Sequence, residues 1–353
     1  MEALALRRGE ETATVIEKPR PEPGQGEAVV RTLRVGIDGT DHEILAGEHG
    51  GFPEGDDHLV IGHEAVGVVE DANGTAFSAG DVVVPTVRRP PNGTNEYFER
   101  GEPDVAPPGA YHERGIEGAH GYAAEYFTSP EQFLVEIPAG LAPLGFLVEP
   151  ISISEKALEL AHSSRSTFDW QPESVLVLGN GSLGLQTLAM LADSVDRLYC
   201  LGRRDRPDPT LDIVDEIGAT YVDSRETPVP EIPERYEPMD LVFEATGYAR
   251  HGIESAHALA HNGVAALLGV PRSATFEVDG GEFHERMVLG NRALVGSVNS
   301  NRRHFQRAVD SLSSLPAWFT ESLVTGVYDL GEFERAFDDD DSTIKTALEL
   351  SRR

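Results

Sequence analysis

The sequence predicts an α/β protein in two parts: a β-rich N-terminal part, then a part built on a doubly wound parallel sheet. Three observations predict it. Residues 1–150 hold short apolar runs cut by Gly, Pro and Asp, the pattern of strands between turns. From about residue 155, buried-strand runs alternate with segments of helical period, which builds a parallel sheet covered by helices. A glycine-rich turn, Gly179-Asn180-Gly181-Ser182-Leu183-Gly184, lies where one such run enters a helix. The length of 353 residues fits roughly two domains with ample core.

In the first part, the runs 27–35, 65–70 and 81–87 read as strands. Residues 86–122 form a Pro/Gly/Asn-rich stretch of little periodicity, a functional loop or a small lobe. Residues 154–162 are helical, 174–180 form a continuous apolar strand, and 181–193 have helical period. The alternation continues through strand 197–202, helix 212–219, strands 220–223 and 240–247, helix 252–260, and strands 263–270 and 293–298. The chain returns through helices at 304–312 and 333–339 to a strand at 346–350, and 337–343 reads as a solvated acidic loop.

Asp plus Glu number 60 against 29 Lys plus Arg, a net charge of −31. A phosphate backbone needs a basic footprint, so nucleic acid is not a partner. An anionic membrane surface is disfavoured on the same ground. Only Lys18, Lys156 and Lys345 are lysines. Carboxylates in this excess repel one another, and molar salt screens that repulsion beyond about 3 Å. The pattern reads as adaptation to a salty cytoplasm. Cys200 is the sole cysteine, which rules out an intrachain disulfide and a Cys-rich zinc site. No apolar run approaches the ~18 residues of a membrane span. MEALALRRGE lacks the apolar core and cleavage site of a secretory signal, so a cytoplasmic protein is expected.

The Gly179–Gly184 turn follows a strand and opens a helix, the context in which this motif binds a dinucleotide. Gly179 permits the tight turn, Gly181 lets backbone approach the pyrophosphate, and Gly184 lets helix and strand pack closely. The helix N-terminus offers N–H groups to the phosphates. Gly202 stands where an Asp or Glu would hold a ribose 2′-hydroxyl, and Arg203 and Arg204 follow. Two guanidinium forks suit a 2′-phosphate, so NADP is the expected cofactor. Asp205 leaves use of NAD open.

The segments Gly36-Ile37-Asp38-Gly39-Thr40-Asp41-His42-Glu43, Gly62-His63-Glu64-Ala65-Val66-Gly67 and Leu147-Val148-Glu149-Pro150 precede the nucleotide motif, and Gly296-Ser297-Val298-Asn299 follows it. Together they resemble the zinc-dependent medium-chain dehydrogenases, and within them the archaeal glucose dehydrogenases. The likeness runs over nearly the whole chain. It implies a GroES-like catalytic domain over 1–153, completed by 299–353, and a Rossmann domain over 154–298. It also implies one catalytic zinc on Asp38, His63 and Glu149, with Glu64 or water alternating in the fourth place. Asp38 stands where the family has a cysteine; a carboxylate is an acceptable zinc ligand, and it hardens the site toward Mn²⁺ or Co²⁺. Asp41 matches a residue that orients the histidine. Many relatives hold a structural zinc on four cysteines. The corresponding stretch here, 88–109, has none, so no structural zinc is expected, and Tyr97 and Phe98 are candidates to pack the lobe.

By the same resemblance, Thr40 passes a proton from the sugar hydroxyl toward the cofactor ribose. Glu64 takes part by moving on and off the metal, and Glu43 lies where several alcohol dehydrogenases keep a histidine relay. Thr40, Glu113, Glu149 and Asn299 would contact the sugar. Gly269, Val270, Ser297, Val298 and Asn299 would line the nicotinamide pocket. The implied reaction is NADP-dependent oxidation of D-glucose at C1 to gluconolactone. The alternatives are another zinc polyol or alcohol dehydrogenase, on sorbitol or threonine for example, and a zinc-free NADPH-binding reductase. A homodimer or homotetramer is implied, the dimer favoured by loss of a zinc-stapled lobe.

Overall fold

A computed structural model describes residues 1–338 and 340–352. Asp339, inside the expected 333–339 helix and the acidic run, and Arg353 lie outside the described residues. The chain forms two compact units. One comprises Met1–Ser152, Asn299–Ser314 and the chain from Val324 onward; the other comprises Ile153–Val298 and Leu315–Leu323. The segment 315–323, assigned from sequence to the first domain, clusters with the second, because helix Ala317–Leu323 packs on helices Pro209–Ile217 and Ser182–Leu191.

The first unit is built on a seven-stranded sheet. Its order is Leu134–Glu136, Val82–Pro85, Glu64–Asp71, Glu27–Ile37, Lys345–Glu349, Val324–Asp329, with Tyr126–Pro130 also paired to Glu27–Ile37. The register sets Gly36 opposite Glu64 on one side and Ile37 opposite Thr346 on the other. Three strands therefore bring Asp38, Glu64 and Lys345 to one end of the sheet. A second sheet joins Ala13–Glu17, Glu2–Arg7 and His58–Val60. Leu4, Val35, Ile61, Tyr122 and Phe127 lie at the centre of the core between them.

Residues 86–122 are a small lobe. It holds a three-stranded sheet of Arg88–Arg89, His112–Arg114 and Gly118–Ala119, and a short helix, Glu96–Glu99. Phe98 is buried edge-on to Phe133, with ring centroids 6.0 Å apart. Tyr97 instead lies under Arg100, 5.1 Å from its ring. The main tie is one the sequence reading missed. Arg88 is buried, donates to the carbonyls of Pro103 at 3.1 Å and Asp104 at 3.0 Å, and stacks 3.6 Å above the Tyr111 ring.

The second unit is a six-stranded parallel sheet in the order Thr220–Asp223, Arg197–Gly202, Ser174–Leu178, Met239–Glu244, Leu259–Leu267, Ala293–Gly296. In chain order that is third, second, first, fourth, fifth, sixth, the Rossmann arrangement. Ser174–Leu178 is buried along its whole length, as a strand covered on both faces must be. Several details differ from the sequence reading, among them the following. The strand expected over 293–298 stops at Gly296. A helix at Gly280–Leu289 went unread because it buries no face. The helix expected at 333–339 is a 3₁₀ segment, Leu330–Phe337, broken at Glu332 by a non-helical backbone.

Candidate active site

Asp38, His63 and Glu64 come together in the first unit. Asp38 leaves the long strand Glu27–Ile37 and caps the helix Gly39–Leu45. Its Oδ1 accepts from the Thr40 and Asp41 amides at 2.9 and 3.2 Å, and its Oδ2 accepts from the Thr40 hydroxyl at 3.3 Å. Asp41 returns the bond, accepting from the Asp38 amide at 3.2 Å, a reciprocal cap. Asp38 Oδ2 lies 3.7 Å from His63 Nε2. One ligand atom each from Asp38, His63 and Glu64 lies within 4.8 Å of the other two. Glu149, in the first turn of helix Val148–Ser164, falls outside that group yet is buried close enough for its charge to act on His63.

Two residues make this cluster possible. Gly36 sits opposite Glu64, and a Cβ there would strike the Glu64 carboxylate and come within 2.8 Å of the Phe146 ring. Lys345, unread from sequence, is buried. Its Nζ pairs with Glu64 Oε2 at 2.5 Å and donates to the Ile37 carbonyl at 2.9 Å. The available signal was its rarity, as one of only three lysines in the chain.

The charges are strongly coupled. Burial raises Asp41 to about 7 and Glu149 to about 8. Burial also raises Glu64, against the pull of Lys345. Burial would raise Asp38 as well, but His63 and Lys345 hold it below its ordinary value. Burial would lower His63, but the carboxylates of Asp38, Asp41, Glu149 and Glu64 outweigh it and lift the ring to about 9. No hydrogen bond joins Asp41 to His63. Asp41, expected by resemblance to orient the histidine, acts on the ring through its charge, and its hydrogen bond caps the helix.

This donor set fits a divalent cation. Three buried carboxylates and the half-buried Asp38 face one imidazole and one ammonium, and His63 Nδ1 and Asp41 Oδ1 are buried without hydrogen-bond partners. Four carboxyls against two basic groups in so dry a place must either take up protons, as the raised pKa values of Asp41, Glu64 and Glu149 reflect, or be compensated by a cation. Nitrogen and oxygen donors without sulfur suit zinc and harder divalent metals.

Glu113 and Asn299 also meet. Asn299 Nδ2 donates to Glu113 Oε1 at 3.3 Å, and Arg88 Nε donates to the same oxygen at 2.9 Å. Asn299 holds a left-handed backbone, φ 57°, and its own Oδ1 accepts from the Ser300 amide at 2.9 Å.

In the second unit, Gly179, Asn180, Gly202, Arg203 and Arg204 line a cavity of about 810 Å³. Gly179 turns at φ 112°, and a Cβ on Gly184 would collide with the Gly179 carbonyl, so helix and strand pack as the motif requires. Gly202 is equally constrained: a Cβ would lie 2.5 Å from Asn180 Oδ1 and 2.9 Å from the Tyr221 ring. An acid cannot be placed there without displacing both. The cavity also takes in Ser224, Arg225, Thr246 and His251, which the sequence reading missed. Thr246 is hydrogen-bonded to Glu244 and, at 2.9 Å, to His251 Nδ1; burial pulls His251 down to about 4. Gly269 packs on the Gly247 backbone, and the Ser297 amide donates to Leu267 at 3.0 Å. Lys156 Nζ donates to the Val298 carbonyl at 2.9 Å, and the Val270 and Val298 side chains are exposed.

A β-rich unit holding this cluster and a Rossmann unit with a glycine-rich turn define a medium-chain dehydrogenase. Residues 24–139 match the model of the alcohol dehydrogenase GroES-like domain, and 142–350 match that of the glucose dehydrogenase C-terminus. The glucose 1-dehydrogenase of Haloferax mediterranei is 66% identical over 99% of both chains. Glucose 1-dehydrogenase 1 of Haloterrigena turkmenica is 66% identical over 99% of this chain and 100% of its own. The solved structure of the Haloferax enzyme in complex with NADP, Zn and gluconolactone superposes with a TM-score of 0.99 at 66% identity, covering all of both chains. The chain belongs to the glucose dehydrogenase family.

Proposed function

We propose that this chain is a glucose 1-dehydrogenase that oxidises D-glucose at C1 to gluconolactone and reduces NADP. The observation that carries the reading is the Asp38–His63–Glu64 cluster, whose oxygen and nitrogen donors lie within 4.8 Å of one another, in a chain 66% identical to such enzymes. Asp38, His63 and Glu149 would hold the zinc, with Glu64 or water in the fourth place. When bound, the metal supplies Lewis acidity toward the sugar oxygen and the nicotinamide supplies the hydride acceptor.

The chain's own residues do the rest. Thr40, whose hydroxyl lies 3.3 Å from Asp38 Oδ2, takes the proton of the sugar O1 and passes it outward. Glu113 and Asn299 read sugar hydroxyls, because paired carboxylate and amide groups reject a substrate that leaves them unmatched. Glu149 serves both metal and sugar. Asp41 fixes Asp38 through the reciprocal cap. Gly179–Gly184 cradle the pyrophosphate, Arg203 and Arg204 take the 2′-phosphate, and Gly269, Val270, Ser297 and Val298 line the nicotinamide pocket.

Among the described residues no helix is long and apolar enough to cross a membrane, and we place the protein in the cytoplasm. A homodimer or homotetramer is supported by the edge strand Ala293–Gly296 and the exposed Val278, Val288 and Leu289 on and beside helix Gly280–Leu289. The test of the activity is NADP reduction with D-glucose, sorbitol and threonine in concentrated KCl, with the product identified. Gluconolactone from glucose at a rate far above the other two is expected. Preference for sorbitol or threonine would replace the substrate assignment.

A further inference from the structure

The 2′-phosphate end of the nucleotide cavity carries a charge problem. Arg203, Arg204 and Arg225 line it or its rim, but carboxylates stand among them. Asp223 ends the strand Thr220–Asp223 directly beside Gly202, to which it is paired in register. Asp205 follows Arg204 in sequence, and Asp208 lies 3.8 Å from Arg204 Nε. Three aspartates would cancel three arginines. A free carboxylate next to Gly202 is moreover the group that binds a ribose 2′-hydroxyl and repels a 2′-phosphate.

Arg225 pairs with two of these carboxylates at once, leaving Asp223 21% and Asp205 81% exposed. Its Nη2 and Nη1 reach Asp205 Oδ1 and Oδ2 at 2.6 and 3.0 Å. Its Nε and Nη2 reach Asp223 Oδ1 and Oδ2 at 2.9 and 2.6 Å, and its backbone amide donates to Asp223 Oδ1 at 2.8 Å. Both are fork-on-fork contacts, which fix direction as well as charge. The loop holding it is tied to the same strand end, since the Ser224 amide donates to the Gly202 carbonyl at 3.0 Å.

We infer that Arg225 is a specificity-determining positioning residue: it sequesters Asp205 and Asp223, so that the site next to Gly202 accepts the 2′-phosphate of NADP and does not offer a carboxylate to the 2′-hydroxyl of NAD. The inference rests on the reading of NADP as cofactor. It assigns Arg225 an action through the two aspartates, and leaves contact with the phosphate to Arg203 and Arg204. Both aspartates are held below their ordinary pKa, with the hydrogen bonds from Arg225 as the leading cause.

The experiment is equilibrium binding of NADPH and NADH to the full-length enzyme, read by calorimetry in concentrated KCl. Arg225→Gln is expected to weaken NADPH on the order of tenfold, an effect limited by salt screening and exposure, while NADH binds as well as to the parent or better. Adding Asp205→Asn and Asp223→Asn to that variant is expected to restore NADPH binding, because the charges that Arg225 masks are then gone. Equal weakening of both nucleotides, or no recovery in the triple variant, would overturn the assignment and make Arg225 a structural residue. A parent enzyme that binds NADH as tightly as NADPH would overturn the cofactor reading itself, a separate result.

Discussion

Replacing Lys345 with Met keeps the volume and removes the charge. The contacts at stake are the 2.5 Å pair with Glu64 and the 2.9 Å bond to the Ile37 carbonyl, with Lys345 2% and Glu64 1% exposed. An exposed ion pair contributes less than about 1 kcal/mol. Stripping one partner from a buried pair costs about 3–5 kcal/mol, because the other charge stays out of water. Here the stranded carboxylate also faces Asp38, Asp41 and Glu149, so the upper half of that range is expected. At about 2 °C per kcal/mol for a chain this long, Lys345→Met should melt roughly 8–10 °C below the parent at pH 7. The assay is thermal unfolding by circular dichroism in concentrated KCl. Burial alone would lower the lysine pKa, but Glu64 and Asp38 raise it. The contribution is therefore whole at neutral pH and lost only as pH climbs past the ordinary lysine value. In acid the deficit should narrow as Glu64 takes up a proton. A variant melting within about 2 °C of the parent at pH 7 would refute the reasoning.

Three further outcomes follow from the same geometry. Gly36→Ala drives a Cβ into the Glu64 carboxylate and to 2.8 Å from Phe146; a loss of about 1–3 kcal/mol and bound zinc well below the parent's are expected, by melting and atomic absorption. His120 is pushed down to about 4 by burial and by the charges of Lys18 and His58. Its folded pKa lies below its unfolded one, so the stability it lends is complete above about pH 6.5 and fades toward pH 4; His120→Gln should flatten that limb of the stability profile, and an unchanged limb would remove His120 from the account. A net charge of −31 predicts a melting temperature that climbs steadily with KCl into the molar range; full stability in dilute buffer would contradict it.

The alternation of buried runs with helical segments was legible because a parallel sheet buries both faces of its strands, as Ser174–Leu178 shows. The meeting of Asp38, His63 and Glu64 was legible through resemblance, since they lie in short motifs whose order carries the likeness. What escaped was whatever depends on tertiary partners. Helix Gly280–Leu289 sends no residue into the core: Phe283 and Met287 are only half-buried and Val288 and Leu289 are exposed, so its short apolar run lies apart from the alternation of buried strands and covering helices. Arg88 and Lys345 look like ordinary surface cations in sequence; only pairing across 25 and 281 residues, with Glu113 and Glu64, makes them interior groups. The same holds for Arg225, whose partners Asp205 and Asp223 come from different strand ends.

In the proposed reaction Asp38, His63 and Glu149 would hold a zinc that supplies Lewis acidity while NADP oxidises glucose. The most direct test is to strip metal with EDTA in concentrated KCl, then titrate zinc back while counting bound metal and following NADP reduction with D-glucose. Glucose-dependent reduction is expected to be absent from the stripped protein and to return in step with one zinc per chain, and a His63→Ala chain is expected to regain neither. Glucose oxidation by the metal-free protein, or zinc retained at full stoichiometry by His63→Ala, would contradict it.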